Sequence, residues 1–246
     1  LHLDAGAVLR FSPDPADYLP AVPTRWEGLA CMNHSPLVYA RDGEDIALTG
    51  PGRLEAQMDV WSTWFARPRA HLDALVALVH QATRGVPVEE RQMAVGEAHL
   101  RPPFVQFLRC RRVLIEDVQI EHSPFWVLHP LQCEEVVIRR VRIRAHGHNN
   151  DGVDPEMCQR VLIEDCVFDQ GDDAISVKSG RDHDGWRAAM PTRQVVVRRC
   201  RVLNGHQLLA VGSELSAGIE DIWVHDCEVA IDHQATVNAR LMNLLF

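Results

Sequence analysis

Residues 158–168 read CQRVLIEDCVF, and four other stretches follow the same template: CRRVLIEDVQI from Cys110, CEEVVIRRVRI from Cys133, TRQVVVRRCRV from Thr192 and IEDIWVHDCEV from Ile219. In chain order the five copies begin 23, 25, 34 and 27 positions apart. Self-similarity at such a period signals a solenoid. Within each copy the apolar side chains alternate, as Val161 and Ile163 do, which is the two-residue repeat of a strand with one buried face. A second apolar pair follows three residues on, Val118 and Ile120 in one copy, Cys166 and Phe168 in another. The chain therefore bends between two short strands that both aim inward. Short strands at coil-length period, with no helix between them, predict an all-β fold, a right-handed parallel β-helix. A leucine-rich horseshoe is the rival, and the Leu and Asn pattern it requires is absent.

The cysteines follow the same stacking. Cys110, Cys133 and Cys158 occupy the first template position, and Cys166, Cys200 and Cys227 share a later one. A metal site or disulfides could be read from them, but no Cys-x-x-Cys pair occurs, and ladders of small buried side chains explain the spacing. Cys31 stands outside both ladders. Residues 71–85, HLDALVALVHQATRG, place Leu72, Leu75, Val76 and Val79 at helical spacing and end at Gly85 before Pro87. They predict a short surface helix inserted between coils, with that stripe as its packing face.

A chain of 246 residues, 46% hydrophobic, can bury a sizeable core, and residues 1–246 are expected to form a single β-helix domain. The formal charge of -9 argues against nucleic acid as a partner, since phosphate binding needs clustered Lys and Arg. It leaves room for a local basic stripe facing an acidic polymer. No apolar run approaches the ~20 residues needed to cross a bilayer, so no membrane partner is expected. The strand pattern begins at Leu1 with no basic-then-apolar leader, so an upstream segment is expected, and neither compartment nor oligomeric state can be read.

Setting the coils in register brings NNDGVDPEM (149–157), GDDAISVKS (171–179) and GHQLLAVGS (205–213) to one turn of three successive rungs. Asn150, Asp172 and His206 then share a file, and Asp151, Asp173 and Gln207 the next. Adjacent parallel strands lie ~4.8 Å apart, so these groups converge although they are distant along the chain. Like-charge repulsion among three carboxylates is expected to raise at least one pKa, as a general acid working near neutral pH requires. Paired Asp residues can instead cap a turn or hold calcium. The stacking on Asp151 and the neighbouring His206 favour catalysis.

These residues resemble glycoside hydrolase family 28, the polygalacturonases and their pectin-degrading relatives. The likeness rests on an NTD-type run (Asn149, Asn150, Asp151), GDD (Gly171 to Asp173) with a KSG turn (Lys178 to Gly180), and GH (Gly205, His206) followed by GSE (Gly212 to Glu214). DPADYLP, TRWEG, PVEER, LRPPF and SPFW extend it from about residue 1 to about residue 232. The resemblance implies inverting hydrolysis of α-1,4-galacturonosyl links in polygalacturonate or pectin, with no cofactor and no metal. It makes Asp172 the general acid, Asp151 and Asp173 the groups that activate water, and His206 the residue that tunes the acid. Asn149 joins the substrate contacts by its place in the motif.

Two departures stand out. Where the family carries Arg-x-Lys for the galacturonate carboxylate, this chain has Arg240-Leu241-Met242, so Arg240 lacks the partner cation. The usual N-terminal start and C-terminal coils are expected to be missing as well. Two alternatives follow: a catalytically silent pectin-binding or structural β-helix, and a calcium-dependent pectate lyase.

Lys178 is read either as a ligand for a uronate carboxylate or as a ladder ion pair with Glu156. Arg181 and His183 fall in a loop that could line the cleft. Arg101 and His129 could reach substrate subsites or be structural. Trp26, Trp61, Trp64 and Trp126 could stack on sugars or pack a core, and core packing is expected for Trp126.

Overall fold

The computed structural model describes residues 1–230. The chain winds as a right-handed parallel β-helix whose rungs feed three sheets. The first sheet holds six parallel strands, Glu44–Thr49, Arg111–Glu116, Glu134–Arg139, Gln159–Glu164, Thr192–Arg198 and Ile219–His225, neighbours in that order. Its register runs Ile46, Val113, Val136, Val161, Val195, Ile222, so the template copies align as the rungs do. The rung at Glu44–Thr49 escapes the sequence comparison because an insertion separates it from its neighbour.

The second sheet takes the second apolar pair of each copy, with Ile120, Ile143 and Phe168 in line. The third begins with Val38–Arg41, Val105–Leu108 and Leu128–Leu131. It continues through single bridges at Val153 and Glu156 to Ile175–Val177 and Leu209–Val211. The bend between the first two sheets falls on Asp117, Arg140, Asp165, Arg199 and Asp226, whose φ values lie between 50° and 66°. L-residues adopt that conformation at a cost of roughly 1–2 kcal/mol. Their alternating charges pair between rungs, Arg140 with Asp117 at 2.7 Å and Arg199 with Asp165 at 2.8 Å. Exposed pairs return only ~0–1 kcal/mol each, so burial of the flanking apolar pairs is what sets the corner.

The interior is one column of Val, Ile, Phe and Cys side chains, each full burial contributing about 1.5–3 kcal/mol for the larger ones. All seven cysteines are free thiols. In the first ladder the Cys110 and Cys133 amides each donate to the sulfur of the next rung at 3.4 Å. Thr192 continues this ladder, its hydroxyl accepting from the Cys158 amide at 3.1 Å.

The inserted helix spans Arg69–Arg84 and ends on Gly85 at φ 71°. Its packing face differs from the expected stripe: Leu72 and Val76 are 41% and 54% exposed, while His71, Leu78 and Ala82 are buried. The reason is what it packs on. It lies against an antiparallel hairpin, Val22–Trp26 with Leu29–Asn33, and against a second helix, Asp182–Ala188, where a loop was expected. Trp26, Leu29, Cys31, Phe125 and Trp126 join it in a second core beside the solenoid.

Candidate active site

The turn between the second and third sheets carries the candidate residues. The Ala174 amide donates to the Gln207 carbonyl and the Gly152 amide to the Asp173 carbonyl, both at 2.9 Å. Asp151, Asp173 and Gln207 therefore share one file, with Asn150, Asp172 and His206 in the next. Gly152 permits this approach, because a Cβ there would lie 2.6 Å from the Ala174 carbonyl oxygen. Asn150, fully buried, pins the turn: its Nδ2 donates to the Ser123 and Phe125 carbonyls at 3.0 and 2.9 Å, and its Oδ1 accepts from the Gly147 amide.

Asp151, Asp172, Asp173 and Asn149 open onto one cleft of about 1040 Å³. Asp172 Oδ1 lies 3.0 Å from His206 Nδ1 and accepts from the Asp173 amide at 3.0 Å. Asp151, 4% exposed, has no hydrogen-bond partner for Oδ1 among the described residues. Burial pushes its carboxyl well above the usual carboxylate range, with the charges of Asp172 and Asp173 adding to it and Lys178 opposing. Burial, then the Asp172 charge, raises Asp173 to about 6 against a hydrogen bond from Gln207. The elevation expected from crowding thus falls on Asp151 and Asp173, and loss of water is its larger cause. The donor atoms of Asp172, Asp173 and His206 lie within 4.8 Å of one another, near enough to share a divalent ion as well as a proton.

Beneath the cleft sits a charged group that the sequence reading did not assemble. Lys178, 4% exposed, donates to Glu214 Oε2 at 2.9 Å and to the Gly212 carbonyl at 3.1 Å. Its ammonium lies 3.8 Å from Asp154 and 4.6 Å over the Trp126 ring. Burial alone would favour loss of its proton, but the fields of Glu214, Asp154 and Asp151 outweigh it and raise the lysine above its ordinary value. Glu214 is depressed in turn, the fields and hydrogen bonds around it overcoming burial. Asp154 is wholly buried, neither oxygen has a hydrogen-bond partner among the described residues, and burial drives its pKa well up. Two acids alternating with Val153 and Pro155, as Asp154 and Glu156 do, are the signal that could have flagged it.

The ladder pair between Lys178 and Glu156 does not form. Glu156 bonds His129 Nε2 at 2.9 Å, and His129 Nδ1 meets Gln106 at 2.9 Å, all fully buried. His129 is therefore structural. Arg101 is fully buried too and binds the Pro124 and His148 carbonyls and Asn149 Oδ1, out of reach of substrate. Trp26, Trp61 and Trp64 lie in cores and offer no sugar platform. Trp126 is buried with them yet also borders the cleft. His183 belongs to the short helix Asp182–Ala188. Arg181 and Glu27, 3.6 Å apart, face each other across the hairpin tip, and the Arg181 amide donates to the Gly28 carbonyl at 3.1 Å. Arg240 and the Met242 mismatch lie outside the described residues.

Known proteins resemble this chain in sequence and in fold. A probable polygalacturonase of Vitis vinifera is 28% identical over 248 residues, covering 98% of this chain and 45% of that protein. The solved exopolygalacturonase of Thermotoga maritima is 43% identical with a TM-score of 0.88, covering 92% of this chain and 53% of that one. A family 28 exopolygalacturonase of Yersinia enterocolitica, at 19% identity and TM-score 0.71 over 93% of this chain and 44% of its own, shares the fold. The chain spans about half the length of these relatives. The sequence model described as glycosyl hydrolases family 28 matches residues 91–237, which include every rung of the candidate site. On that match, and on the close likeness of fold, the chain belongs to glycosyl hydrolases family 28.

Proposed function

We propose that this chain hydrolyses the α-1,4 links between galacturonate units of polygalacturonate, with inversion and without a cofactor. The observation that carries this reading is the meeting of Asp151, Asp172 and Asp173, from two successive rungs, in one cleft, with His206 of the next rung 3.0 Å from Asp172. Asp172 is the acid. His206 and the Asp173 amide occupy its Oδ1, which leaves Oδ2 to protonate the departing oxygen. The His206 side chain, 51% exposed, can restore that proton from solvent. Asp151 and Asp173, which share the file beside Asp172, activate the water. Inverting enzymes hold acid and base ~6.5–9.5 Å apart, a span that one rung of ~4.8 Å plus a lateral offset accommodates.

Asn149 contacts the substrate from the rim. Lys178, its ammonium held by Glu214, acts beneath the bases as their counter-charge instead of touching a uronate. Arg240 remains a proposed uronate ligand. Attack from a chain end is supported by the Thermotoga relative, which bears the name exopolygalacturonase.

The test is release of reducing ends from polygalacturonate by the purified chain beside Asp172→Asn. Equal signals from the two proteins would remove the catalytic assignment, and a rapid fall in viscosity would remove chain-end attack.

A further inference from the structure

On the N-terminal side of the carboxylates lies a knot of positive charge without a counter-ion among the described residues. Arg67 follows the turn Trp61–Ala66 in a left-handed conformation, φ 48°. Its Nη1 lies 3.4 Å from His148 Nε2. Just below, Arg101 holds its guanidinium 4.8 Å from the Phe65 ring centre and 5.2 Å from that of Phe125. All three of its hydrogen bonds go to neutral oxygens, and its Nε has no partner among the described residues. Burial and the neighbouring Arg67 charge push Arg101 down to about 9, against the pull of Glu27. His148 is likewise lowered, by burial and then by Arg101 and Arg67, with Asp172 opposing.

Among the described residues neither Arg67 nor Arg101 has a carboxylate in ion-pair range, while Arg91, Arg109 and Arg140 are all paired. Two adjacent unneutralised cations, one fully desolvated, are unfavourable unless an anion arrives. The knot borders the cleft: Asn149, which lines it, accepts from Arg101 Nη2 at 2.9 Å and follows His148 in the chain. Glu27 is itself paired with Arg181 at 3.6 Å. Stacking brings the groups together: a Cβ on Gly171, beside Asp172, would meet His146 and Gly147 within 2.9 Å, so the turn bearing His148 lies directly against the turn bearing the acid.

We propose that Arg67, braced by His148, receives the carboxylate of a uronate unit on the N-terminal wall of the cleft, a subsite separate from any formed by Arg240. The inference rests on the galacturonan reading above. A guanidinium fork matches a carboxylate through two parallel hydrogen bonds. His148, exposed at the surface, accepts from Arg67 Nη1 through Nε2 and so orients the guanidinium for the incoming anion. Arg101 lies too deep to touch the sugar; it strengthens the field and holds Asn149 in place.

Calorimetric titration of trigalacturonate into the Asp172→Asn protein, which binds without turnover, tests the subsite. Adding Arg67→Met is expected to weaken binding about tenfold, the lower end for a lost charge-assisted pair at a partly exposed site. Arg67→Lys is expected to recover part of the loss, and the salt dependence of binding should flatten in Arg67→Met. Binding within a factor of about two of the parent for Arg67→Met overturns the subsite. So does an equal loss for Met and Lys accompanied by a lowered melting midpoint, because that marks a role in folding alone. If the parent binds no trigalacturonate, the galacturonan reading falls and takes the subsite with it. A parent that binds while Arg67→Met makes no difference overturns the subsite alone.

Discussion

Replacing Asp173 with Asn is predicted to strengthen the fold at neutral pH while removing activity. Burial raises this carboxyl from 3.8 to about 6, so the folded protein binds its proton more tightly than the unfolded chain does. At about 1.4 kcal/mol per factor of ten in proton affinity, ionising Asp173 in place costs the fold about 3 kcal/mol. For a raised carboxyl the contribution is present below the unfolded value of 3.8 and lost as pH rises through about 6. The substituted amide carries no such cost and can still meet Gln207. Urea unfolding at about pH 7.5 should therefore show Asp173→Asn more stable than the parent by up to ~3 kcal/mol. At about pH 4 the two should nearly coincide. The same site predicts the parent's pH profile: a base of this affinity is protonated as pH falls through about 6, and hydrolysis should decline there. An Asp173→Asn protein that is no more stable at pH 7.5, or whose advantage is the same at both pH values, would refute the claim that desolvation sets this pKa.

Three further outcomes follow from the site. Asp172→Asn should lower the rate of reducing-end release by roughly 10²–10⁴-fold, the worth of general acid catalysis, with its urea midpoint little changed; loss of fold instead would show a structural role. Lys178→Met leaves Glu214 and Asp154 buried without a counter-charge and should cost about 3–5 kcal/mol in urea unfolding, part of it recovered by adding Glu214→Gln. In whatever fraction folds, the acidic limb of the activity profile should move to higher pH, because Lys178 lowers the Asp173 pKa; an unmoved limb would separate Lys178 from the base. Hydrolysis should persist in EDTA, whereas unsaturated products that vanish with the chelator would favour a calcium-dependent lyase over the acid-base reading of Asp172, Asp173 and His206.

What the sequence alone determined is the solenoid and its register. Alternation of apolar side chains is a property of each short strand, and a slip of one residue would turn every Val and Ile of a rung outward. Val136, Val161 and Val195 therefore specify which rung residues stack, and with them the files holding Asp151, Asp172, Asp173 and His206. Only the tertiary structure decided the chemistry of those files. Proton affinity depends on what shuts out water, and the covering pieces are remote: the Ala30 amide meets Asp184 across 154 positions, and Lys178 meets Glu214 across 36. The hairpin, the true packing face of the helix, the uncompensated Arg67 and Arg101, and the counter-charge under Asp151 belong to that second class. Contact between segments so far apart leaves no periodic trace in the chain, whereas a repeating core does.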